Sequence, residues 1–95
     1  MVRYLTLLNF TEQGARDHNK STARAAQFRD AAAKVGVRVE GQYWTTGRYD
    51  GALMLSAENE TDCLRCLAAL AAAGNVRSET LRAFDAEDFA PVAAK

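Results

Sequence analysis

Gly74-Asn75-Val76-Arg77-Ser78-Glu79-Thr80-Leu81-Arg82-Ala83-Phe84 decides how this chain folds. It follows an alanine-rich run, turns on a glycine and then alternates polar with apolar residues. That is the pattern of a strand with two unlike faces, here the last strand of a small α+β sheet. Period-two geometry puts Arg77 and Glu79 on the face of Leu81 and Ala83, and Ser78, Thr80 and Arg82 on the other. One set must point towards an apolar layer, and buried charge persists there only when paired and hydrogen-bonded. Two readings stand side by side. One is a salt-bridge network that fixes the register of a dimer. The other is a polar cluster at a cavity, where arginine holds a carboxylate or other anion through two hydrogen bonds.

Upstream, Tyr4-Leu5-Thr6-Leu7-Leu8-Asn9-Phe10 reads as the first strand, with apolar residues on both parities as in a central strand. Thr11 to Lys20 is polar and reads as a loop with at most one helical turn. Ser21 or Thr22 then caps a helix to Val35, in which Ala25, Phe28, Ala32 and Val35 form one stripe and Gly36 ends the run. Val37 to Thr45 alternates as a second strand. Gly47-Arg48-Tyr49-Asp50-Gly51 is a turn, and Leu53-Met54-Leu55 returns as an antiparallel third strand. Asn59 caps a second helix whose buried face is Cys63, Leu64, Leu67, Leu70 and Ala71, stopped by Gly74. After the last strand, Asp85 caps a brief turn through Phe89, and Pro91 marks a frayed tail.

The order strand, helix, strand, strand, helix, strand predicts a ferredoxin-like βαββαβ fold, a four-stranded antiparallel sheet with two helices on one face. The 95 residues make one domain, with its core at about 3–85 and a short turn and tail at 86–95. Two helices cover only one face of the sheet. The other carries Trp44 or Tyr43 with several aliphatic residues, a large patch for a monomer. A two-fold homodimer paired sheet to sheet is therefore expected.

Twelve basic and twelve acidic residues cancel. Without a basic run, nucleic acid is not the expected partner. The longest apolar run is too short for a membrane span, and no signal-peptide pattern opens the chain. With only two cysteines, a disulfide framework is not expected, and a cytoplasmic location follows.

Three stretches resemble the GYD-domain family: Thr6-Leu7-Leu8-Asn9-Phe10-Thr11-Glu12-Gln13-Gly14, the turn Gly47-Arg48-Tyr49-Asp50, and Gly74 to Phe84. The resemblance covers Tyr4 to Phe84. It implies a ferredoxin-like protomer that dimerises as an α/β barrel, and it carries no established reaction. Related barrel families include cofactor-free monooxygenases, haem enzymes such as chlorite dismutase, and ligand-sensing domains, but kinship of fold does not transfer a function.

Among the reactive side chains, Cys63 and Cys66 lie inside a helix on its apolar stripe and read as small buried residues; a tetrahedral metal would want more soft ligands than they and His18 supply. His18, the only histidine, sits in a polar loop. The glycines make no phosphate-cradling pattern. No metal and no cofactor are expected. Asn9, Arg48, Tyr49, Asp50, Asn75, Arg77, Glu79 and Arg82 are the candidate ligand-binding residues. The leading reading is a homodimer that binds a small polar or anionic molecule or serves as an accessory subunit. The alternatives are a cofactor-independent monooxygenase or isomerase, in which Tyr49, Trp44 and Asn9 position substrate and Glu79 is the base, and a purely structural interaction module.

Overall fold

A computed structural model describes residues 1–94. Its elements are β1 (Val2–Phe10), α1 (Glu12–Arg16), a 3-10 turn (His18–Lys20), α2 (Ser21–Lys34), β2 (Arg38–Trp44), β3 (Gly51–Ala57), α3 (Glu60–Ala72), β4 (Val76–Ala83) and α4 (Ala86–Ala93). The four strands form one antiparallel sheet in the order β2-β3-β1-β4. With α2 and α3 on one face, this is the ferredoxin-like fold.

The core lies between the sheet and those two helices. Tyr4, Leu53, Leu55 and Ala57 of the strands, and Val37 just before β2, meet Ala32 of α2 and Cys63, Cys66 and Leu67 of α3. Leu55 and Cys63 are fully buried, and burying a leucine side chain contributes roughly 2 kcal/mol. Thr6 is also buried there, its hydroxyl 3.1 Å from that of Thr80 across the β1–β4 pair. The Tyr4 hydroxyl donates to Glu60 at 3.0 Å.

Several local signals act as expected. The Asn59 side chain accepts from the Asp62 amide, that of Asp85 accepts from Asp88, and Gly36 and Gly74 take positive φ at the helix ends. Four details differ. Thr11–Lys20 is largely helical, because the Thr11 side chain caps α1 by accepting from the Gly14 amide. Ser21 does not cap α2. The 3-10 turn runs straight into that helix, and Ser21 instead accepts from Trp44. Val35 and Leu64 are exposed, while Cys66 takes the buried place on α3. Finally, α4 continues through Pro91 to Ala93.

A β-bulge decides the facing of β2. Val39 pairs with Leu55 and Gly41 with Met54, so Glu40 is an extra residue on that strand. Past the bulge, Trp44 faces α2 and Tyr43 faces away. The sheet face without helices thus carries Leu5, Leu7, Met54, Leu81 and Tyr43, with Leu81 46% and Tyr43 66% exposed. One end of this face is closed by Arg3, which pairs with Glu40 at 3.4 Å and with Asp85 and Asp88 at 3.1 Å each. No helix among the described residues is long and apolar enough to cross a membrane.

Candidate functional site

The other end of the open face carries the candidate site. Asn9 pairs with Arg77, and Leu7 with Glu79, so β1 and β4 present these side chains together. The turn between β2 and β3 brings Arg48 and Tyr49 over them. The resulting cleft of about 260 Å³ is floored by Leu7 and walled by Asn9, Arg48, Tyr49, Arg77 and Glu79.

The Tyr49 hydroxyl donates to Glu79 Oε2 at 2.6 Å, which fixes the turn to the far edge strand. That hydrogen bond, together with partial desolvation and the carboxylate's own charge, pushes the Tyr49 phenol above its ordinary pKa, against the opposing pull of Arg48. The Arg48 guanidinium lies 5.8 Å from the centre of the Tyr49 ring, in cation–π range. Among the described residues, neither Arg48 nor Arg77 has a carboxylate within 4 Å. Two arginines without counter-ions flank a polar cleft with an apolar floor, an arrangement suited to an anionic group. Glu79 is exposed in the single chain and accepts a hydrogen bond from the Tyr49 hydroxyl, without the dry setting that a general base draws on.

Three candidates lie elsewhere. Asp50 faces the helix side, where its carboxylate accepts from the Phe10 amide at 2.8 Å while its own amide donates to Leu8 at 2.8 Å. It fastens the turn to β1. Asn75 is a clamp: its backbone carbonyl accepts from the Thr11 amide and its side chain from Gln13. Arg82 lies on the helix-side parity of β4, its guanidinium 5.6 Å from the Tyr4 ring centre and 4.8 Å from that of Phe84. It takes no part in the cleft.

A second space lies on the shielded side of the sheet, under α2 and α3, with a volume of about 310 Å³. Asp50 and Asn75 are in its wall, with Phe10, Phe28, Trp44 and Leu70. The sequence reading missed it. The available signal was the run of alanines, since Ala25, Ala69 and Ala73 present too little side chain to fill the gap.

Comparison with known proteins agrees with this architecture. The GYD domain profile matches residues 4–93. A relative from Thermus thermophilus, described as a glutamine synthetase and cystathionine beta-lyase binding protein, is 30% identical over 89 residues, covering 93% of this chain and 94% of that protein. The crystal structure of TTHA0845 from the same organism superposes with a TM-score of 0.59 at 24% identity, over 90% of this chain and 96% of the other.

Proposed function

Because the chain belongs to the GYD domain family, we propose that it is a non-catalytic binding protein: a cytoplasmic homodimer, paired through its open sheet faces, that holds an anionic group between Arg48 and Arg77. The observation that carries this reading is the pair of arginines that have no counter-ion among the described residues, beside the Tyr49–Glu79 hydrogen bond. Tyr49 and Glu79 set the shape of the cleft, and the arginines supply the charge. The description of the Thermus relative as a protein that binds two enzymes supports an accessory role, in which the anionic group belongs to a metabolite or to a carboxylate on a partner enzyme.

The proposal is tested by thermal-shift screening of carboxylates and phosphates, and by co-sedimentation with glutamine synthetase. Each is run with the unmodified chain and with Arg77→Ala. Loss of a charge-assisted hydrogen bond costs about 1.5–3 kcal/mol, or roughly 10- to 150-fold in affinity. Stabilisation by small anions identifies a metabolite site, and co-sedimentation alone identifies a protein site. Equal binding by Arg77→Ala in both formats removes this cleft from the function.

A further inference from the structure

The space beneath α2 and α3 has no part in the proposal above. Leu8, Phe10, Phe28, Leu70 and Val76 stand on the shielded side of the sheet or on its covering helices, yet all five are only partly buried. Beside Phe28 and Leu70, the covering helices offer the short side chains of Ala25, Ala69 and Ala73. The space is a half-open cleft and not a sealed void. At about 310 Å³ it falls in the range of small-molecule sites.

Its two charged side chains, Arg24 and Asp50, are opposite in sign and hydrogen-bond to the backbone. Arg24 donates to the Asp17 and Gly14 carbonyls at 3.0 and 3.3 Å, and the Asp50 carboxylate accepts from the Phe10 amide. The wall therefore carries one charge of each sign and no net charge to attract a charged ligand, and burying such a ligand unpaired is costly. The wall also holds the neutral polar side chains of Ser21, Gln27, Gln42 and Asn75, of which Ser21 lies against the indole of Trp44. Trp44 Nε1 donates to Ser21 Oγ at 3.2 Å, which leaves the Ser21 hydroxyl hydrogen free to donate to a ligand oxygen. We propose that this pocket is a binding site for a neutral, mostly apolar small molecule bearing one hydrogen-bond acceptor, separate from the anion cleft on the opposite sheet face.

Trp44 is the only tryptophan and is 48% exposed in this wall, so its fluorescence reports occupancy. Octan-1-ol, a neutral probe that does not absorb with indole, is expected to shift its emission to shorter wavelength in a saturable way. Octanoate, charged but of equal length, is expected to bind at least about tenfold more weakly near neutral pH. Ala25→Leu and Ala69→Leu extend side chains into the space and are expected to weaken octan-1-ol by at least about tenfold with unchanged far-ultraviolet circular dichroism. Arg77→Ala is expected to bind it normally, which keeps this outcome separate from that of the anion cleft. A shift that does not saturate, equal binding of octanoate, or full binding by both leucine variants overturns the assignment. Should the variants fail to fold, chemical-shift mapping on the unmodified chain decides. Perturbations at Ala25, Ala69 and Leu70 uphold the pocket, whereas perturbations confined to Tyr43, Met54 and Leu81 place the alcohol on the open sheet face and overturn it.

Discussion

Cys63 and Cys66 show what single residues disclose. Their three-residue spacing on an apolar helical stripe predicts burial, and both are buried free thiols. Desolvation first, then neighbouring negative groups (Asp62 for both, and Cys66 beside Cys63), raise both thiols above their ordinary range. A raised pKa means that the folded chain holds the proton more tightly than the unfolded one. The stability this contributes is complete below the ordinary thiol range and is lost as pH climbs through the raised folded values. Native protein at neutral pH is expected to react with Ellman's reagent at least about a hundredfold more slowly than denatured protein. The melting temperature is expected to fall above about pH 9. Prompt labelling of both thiols in the native state contradicts this. The candidate site was legible to the same depth. Arg77 and Glu79 share a parity with each other, so strand geometry alone brought them together. Nothing in the sequence said that Asp50 spends its carboxylate on the Phe10 amide, or that Arg82 lies over Tyr4.

At the scale of elements, α1 is the piece that composition concealed. Its polar residues and its glycine argue against a helix, and its stability comes from contacts distant in sequence. The Thr11 hydroxyl donates to the Gly74 carbonyl at 2.6 Å, and Gln13 donates to Ala73 and Asn75. These bonds draw α1 so close to the start of β4 that a Cβ on Gly14 would sit 1.9 Å from the Asn75 carbonyl oxygen. Helix propensity favours Gly14→Ala by up to about 1 kcal/mol, whereas overpacking against backbone costs roughly 1–3 kcal/mol. The close approach wins, and urea denaturation is expected to show a net loss of stability. A midpoint equal to or above that of the parent would mean that α1 stands further from Asn75. The strands and the two long helices were legible because their apolar periods repeat. The bulge in β2 was not, since one additional residue leaves no mark on an alternation that runs smoothly from Val37 to Trp44.

For the whole molecule, the deciding quantity is the apolar area that α2 and α3 leave uncovered. Leu5, Leu7, Met54 and Leu81 form a continuous strip across three strands, flanked by Tyr43 and by charge at both ends. A second copy laid on this strip would bury it and would bring the two anion clefts near the joint interface. Sedimentation is expected to find a dimer, and Leu81→Lys, which places an ammonium in the strip, is expected to give a folded monomer. A parent chain that sediments as a monomer at high concentration would remove the pairing.

The additional residue at Glu40 has one more effect. Because side chains on a strand alternate, an odd insertion acts as an inverter rather than a spacer: every position beyond it exchanges inside for outside. It decides which of the neighbours Tyr43 and Trp44 goes to the exterior and which to the pocket wall: Tyr43 to the first and Trp44 to the second. A change in length by one residue at this point is therefore a change of orientation, and the chemistry of both surfaces turns on it.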